Sequence, residues 1–295
     1  MEWSPMFTPA NSIAALLTLI PLLLAAFFPQ TARRVRSLPL GLQLLCPAVL
    51  CIPYVLVTVA AGGFRWGWLA LYAALPVAVA LLLWQAGRAD PGQRGNWRDF
   101  LVLAVLGLAV DLRWFEGAWP AHLAIFSKIL LLDAGIYGFL ALRQLDGAGF
   151  DLRLRLRDAA IGLRELAWYT PIALALGLAL GFLHLHAVWP GLAPIAGAWA
   201  FTFFFIAVPE ELFFRGWLQN LLERRMGRVP ALLATAILFG LSHFNKRAAL
   251  FNWRYVLLAA VAGVFYGRAW RQERRVAASA ITHASVDAIW SLWLR

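Results

Sequence analysis

Residues 197–225 read GAWAFTFFFIAVPEELFFRGWLQNLLERR. From Gly197 to Leu222 the stretch is mostly apolar and exceeds the roughly 20 residues that carry a helix across a bilayer. It nevertheless carries Glu210, Glu211 and Arg215 in mid-run. An ionisable side chain in hydrocarbon is destabilising by several kcal/mol, so each of the three needs a reason. One stretch therefore decides the fold class and shows where to look for chemistry.

The rest of the chain agrees. Of 295 residues, 62% are apolar and 14% are charged, and the mean hydropathy is +0.71. A soluble chain is nearer half apolar. This composition excludes a soluble enzyme, a disordered chain and a collagen-like fibre. Apolar runs occupy about 12–28, 38–61, 66–85, 100–112, 121–142, 166–183, 197–222, 230–245, 253–270 and 277–293. The alternation of a membrane barrel is missing, so the runs read as helices. The expected fold is all-α: a polytopic transmembrane helical bundle of about ten spans, or eight to ten, since the run at 100–112 is short enough to be re-entrant.

The net charge is +11. The arginines sit in short clusters between apolar runs, where they set orientation, so no nucleic-acid partner is expected. With the amino terminus outside, the inner loops carry seventeen basic residues, including Arg33, Arg34, Arg36, Arg224, Arg225 and Arg228. The outer loops carry four: Arg65, Arg113, Lys246 and Arg247. That bias places both ends outside. Arginines follow the first run rather than precede it, so it reads as a retained span and not a cleaved signal peptide. Lysine occurs only at Lys128 and Lys246. The arginine bias suggests a GC-rich bacterial genome, hence a bacterial inner (plasma) membrane. Cys46 and Cys51 have no CxxC or zinc-site spacing and read as inert thiols.

Domains are expected at 1–164, about five spans of unknown role plus a cytoplasmic connector, and at 165–295. The connector Asp151–Arg164 reads DLRLRLRDAAIGLR. It either lies on anionic lipid or is a solvated loop. Asp111, Arg113 and Glu116 flank the fourth run, and Lys128 and Asp133 lie in the fifth. They make either a groove or ion pairs that hold helices. Gly263-x-x-x-Gly267 reads as a small-residue helix contact.

The titratable groups concentrate in the last third. Glu210 and Glu211 are neighbours about 100° apart on a helix, so they cannot share a face. Glu211 and Arg215 are i,i+4 and can pair, which leaves Glu210 without a local partner. Pro209 cannot donate to the carbonyl of Phe205 and kinks the helix beside the carboxylates. His243 ends a second helix in the sequence Phe239-Gly240-Leu241-Ser242-His243. His283 and Asp287 are i,i+4 on a third. At about 1.5 Å per residue, Glu210 and His243 reach similar depths, while His283 and Asp287 are shallower.

A glutamate and a histidine sharing one water make a general base, and a second histidine with a polar neighbour can bind an oxyanion. The same side chains can instead hold zinc, although no HExxH is present. A rival reading of the same groups is the relay of a proton-coupled transporter or channel. No second copy of the motifs appears in residues 1–165, where a transporter would often repeat them. A third is a non-catalytic scaffold.

The pattern Glu210-Glu211-x-x-x-Arg215, Phe239-x-x-x-His243 and His283-x-x-x-Asp287 resembles the CPBP family of intramembrane proteases, which includes CAAX endoproteases and bacteriocin-processing or self-immunity proteins. The resemblance spans about 165–295. It implies an intramembrane endopeptidase acting on a membrane-anchored peptide or protein. In that reading Glu210 and His243 activate water, and His283 and Asp287 form the oxyanion site. Glu211 and Arg215 are a structural pair, and no metal or other cofactor is needed. Asp287 stands where the family also uses Asn. An ionised aspartate repels an oxyanion, so the residue is either protonated or orients His283. Some members carry Asn four residues past the second-motif histidine, where this chain has Arg247.

Overall fold

A computed structural model describes residues 8–186, 189–246 and 251–294. Among them the chain is helical, with no strand. Each of the ten apolar runs forms a helix: α1 Pro9–Phe27, α2 Leu40–Ala60, α3 Trp66–Ala89, α4 Trp97–Asp111, α5 Ala121–Leu142, α6 Leu156–Ala179, α7 Leu192–Met226, α8 Arg228–Leu241, α9 Trp253–Glu273 and α10 Val276–Trp293. α1, α2, α3, α5 and α7 are long and apolar enough to cross a membrane. α8 is apolar but shorter, and α4 has only 15 residues. Contacts divide the chain into two compact units, Met1–Leu145 and Asp146–Arg295.

In the first unit α1 packs on α2 and α5, and α3 packs on α2, α4 and α5. Its polar centre is Arg143, buried with Nε 2.9 Å from Asp99 Oδ1 and Nη2 2.7 Å from Asp90 Oδ2. Asp99 also accepts the Asn96 N–H at 2.7 Å and so caps α4. Burying a guanidinium is tolerable when its donors are satisfied in this way. Lys128 pairs with Glu116 at 3.3 Å rather than with Asp133. Residues five apart lie about 140° apart around a helix, so Lys128 and Asp133 face different neighbours. Asp133 is fully buried, with no hydrogen-bond partner on either oxygen.

In the second unit α6, α9 and α10 pack together, α8 packs along α9, and α7 packs on α10. The start of the connector is folded onto the α9–α10 turn. Arg275 Nε is 2.8 Å from Asp158 Oδ1 and Nη1 is 3.0 Å from Asp151 Oδ2, while Nη2 donates to the Arg153 carbonyl at 2.8 Å. The Val276 N–H donates to the Gly149 carbonyl at 2.9 Å. Gly149 has φ +70°, and a Cβ there would collide with the Arg274 carbonyl, so glycine is required at this approach. Leu154 and Leu156 stay exposed between arginines. This segment is therefore anchored by its acidic residues, an arrangement that neither the lipid-bound nor the solvated reading anticipates.

Candidate active site

α7 is not a uniform α-helix. Wide π turns at Phe203–Ala207 and Leu212–Gln219 flank the single α turn Val208–Glu211. Pro209 removes one donor from the regular ladder, and widened turns are common at functional sites. A π turn climbs less per residue than an α turn. Counting 1.5 Å per residue therefore places Glu210 too far from His283. The structure brings Glu210 Oε2 to 3.9 Å from His283 Nε2.

His283 is the hub. Its Nδ1 lies 2.9 Å from Glu211 Oε1, and its Nε2 is 3.6 Å from Asp287 Oδ2. Glu211 Oε2 in turn lies 3.2 Å from Arg215 Nε, with both side chains fully buried. Arg215 donates from Nη2 to the Gly263 carbonyl at 3.0 Å, and its guanidinium carbon lies 4.6 Å from the Phe239 ring centre. Glu210 differs from its neighbour in that 28% of its side chain is exposed; its Oε2 makes no hydrogen bond.

His243 follows the end of α8, where helix carbonyls lose their ladder partners. The Phe239 carbonyl accepts the Ser242 hydroxyl at 2.8 Å and lies 2.9 Å from His243 Nδ1. A carbonyl can only accept, so Nδ1 carries the proton and Nε2 presents its lone pair. Glu210 and His243 lie within electrostatic range of each other. The Phe239 ring contacts both imidazoles, with centres 4.9 Å from His243 and 5.6 Å from His283.

A largely apolar, solvent-open cavity runs alongside. His243, His283 and Asp287 stand in its wall with Tyr169, Tyr266 and Trp290. Glu210 is not in that wall and meets it through His283. Among the described residues, no three His, Cys, Asp or Glu side chains are grouped to hold a metal ion. Arg247 lies outside the described residues.

Two neighbours of the histidines were not singled out by sequence. The Tyr266 ring stacks on His283, with centres 4.6 Å apart and planes 15° apart, and the Tyr255 ring lies 4.9 Å from His243. An aromatic residue in an apolar helix reads as core, so no sequence signal distinguishes either.

Residues 191–289, about a third of the chain, match the family described as Rce1-like, type II CAAX prenyl endopeptidase Rce1-like. The matched segment spans all three motifs from Glu210 to Asp287. No curated protein and no solved structure matches the chain.

Proposed function

We propose, on the premise that residues 191–289 belong to the CPBP family of CAAX-type membrane peptidases, that this integral membrane protein is an intramembrane endopeptidase. It hydrolyses a peptide bond in a membrane-associated peptide or protein, using water activated by Glu210 and His243. The observation that carries this reading is convergence. His243, His283 and Asp287, from the end of α8 and from α10, stand in one cavity wall, and Glu210 of α7 approaches it at His283.

The geometry supports the following roles. His243 has its Nδ1 proton committed to the Phe239 carbonyl, so its Nε2 lone pair is left to accept a proton. Glu210 offers an oxygen that makes no hydrogen bond. A water held between them loses a proton as it attacks the scissile carbonyl, and that proton passes to the leaving amine. No covalent intermediate with the enzyme forms. An N–H of His283 stabilises the oxyanion, and Asp287 orients that ring or, when protonated, donates beside it. Glu211 and Arg215 fix His283 from the far side.

Cleavage of a library of membrane-anchored peptides by purified protein tests the reading. Wild type should cut a subset of the library, Glu210→Ala and His243→Ala should not, and a chelator should leave the rate unchanged. If both variants cut as well as wild type, the reading is wrong.

We also place the chain in a bacterial plasma membrane with ten spans and both ends outside. Helix formation at all ten apolar runs and the arginines at alternate turns support this. In a variant without Cys46 and Cys51, an impermeant thiol reagent should label Gly63→Cys from outside but not Gly92→Cys. The opposite pattern would reverse the orientation.

A further inference from the structure

We propose that Tyr266, on α9 and outside all three motifs, is a positioning residue for His283. Glu211 at Nδ1 and Asp287, 3.6 Å from Nε2, hold the imidazole at its edge but leave the tilt of its plane free. The flat face of Tyr266 supplies that constraint, with ring centres 4.6 Å apart and planes 15° apart. Phe239 closes the other approach edge-on, at 5.6 Å and 90°. The ring of Tyr266 is also 5.4 Å from the guanidinium carbon of Arg215, the group that holds Glu211. One ring thus touches the imidazole and the cation that anchors the carboxylate at Nδ1. Tyr266 is 1% exposed and His283 is 2% exposed, so the two rings are stacked within the protein interior. Stacked rings of this kind contribute beyond their buried area. With the face removed, His283 keeps its bond to Glu211 but its Nε2 swings off the line toward the reacting carbonyl. Small misplacements of this sort lower turnover while leaving substrate binding intact.

The catalytic half of this inference rests on the proposed peptidase reading; the structural half does not, and the test separates them. Tyr266→Phe keeps the ring, and Tyr266→Leu removes it. Kinetics and diethyl pyrocarbonate modification of His283, read by peptide mass spectrometry, are measured on the same reconstituted protein. The exposed His184 is the internal reference. The Leu variant should lose about 10–100-fold in kcat with KM within about threefold, as expected of an orientation defect. Its His283 should react at least about threefold faster relative to His184, because the stack no longer covers the ring. The Phe variant should match wild type in both. Should the Leu variant fail to fold, Tyr266→Met keeps the buried volume without the flat face and carries the same expectations. A Phe variant as impaired as the Leu variant overturns the proposal, as does wild-type reactivity of His283 in the Leu variant. If wild type cuts no peptide, the peptidase reading fails while the labelling ratio still decides the positioning.

Discussion

His283 has carboxylates at both ring nitrogens: Glu211 at 2.9 Å on Nδ1, with Asp287 at 3.6 Å and Glu210 at 3.9 Å on Nε2. Each acid has a separate test. Glu211 balances the fully buried Arg215, which also donates to the Gly263 carbonyl. Glu211→Gln keeps an oxygen for His283 but strands a buried cation, and breaking a buried pair in this way costs about 3–5 kcal/mol. The thermal midpoint of the variant should therefore drop sharply, and Arg215→Met added to it should restore part of the loss. An unchanged midpoint would show that the pair does not hold the site. Asp287 acts on the reacting side. Asp287→Asn supplies an N–H donor and should keep turnover within about tenfold of wild type, whereas Asp287→Leu should lose about 10²–10³, the scale of an oxyanion donor. Equal losses in both variants would mean that the negative charge itself is needed.

At the scale of elements, the site depends on how closely α8 approaches α9. A Cβ added at Gly240 would stand 2.5 Å from the Val256 carbonyl oxygen and 2.7 Å from the Ala260 methyl. One added at Gly263 would stand 3.0 Å from Ala236 Cα. The two helices therefore touch reciprocally through their glycines, and His243 is three residues beyond Gly240. Gly240→Ala should force them apart, lowering stability by about 1–3 kcal/mol and reducing turnover with it. Gly197→Ala, with open space around the new methyl, is the control and should be neutral or slightly stabilising. Loss in both variants would point to helix propensity rather than contact. The same elements mark what could be read in advance. All ten apolar runs are helices, because a backbone in hydrocarbon must satisfy its own hydrogen bonds. Glu210, Glu211, Arg215, His243, His283 and Asp287 stood out because charge in an apolar run is conspicuous. The π turns around Val208–Glu211 did not, since turn width depends on packing that a local pattern does not encode. Tyr266 was hidden for the opposite reason: it looks like every other buried aromatic. The connector's acidic residues were masked by its arginines, although Asp151 and Asp158 provide the anchor.

At the scale of the whole molecule, that anchor ties the chain just before α6 to the turn before α10, the helix that carries His283 and Asp287. Burial raises the carboxyl pKa of Asp151, but the Arg153 N–H and the hydrogen bond and charge of Arg275 outweigh it and hold it below the usual range. A depressed folded pKa contributes stability above the unfolded value of about 3.9, and that contribution is lost as pH falls through the folded value. Asp151→Asn should therefore lower the thermal midpoint at pH 7, and the gap to wild type should close below about pH 4. A gap that persists in acid would mean that the charge of Asp151 is not what stabilises the turn. The proposed hydrolysis depends on one water shared by Glu210 and His243. A double-mutant cycle on kcat, with Glu210→Gln, His243→Ala and the pair together in folded protein, tests that sharing most directly. Each single variant should lose about 10²–10⁴-fold, and the pair should lose no more than the worse single, because the second substitution removes nothing that still acts. Losses that multiply, or a single variant that turns over at the wild-type rate, would contradict the account.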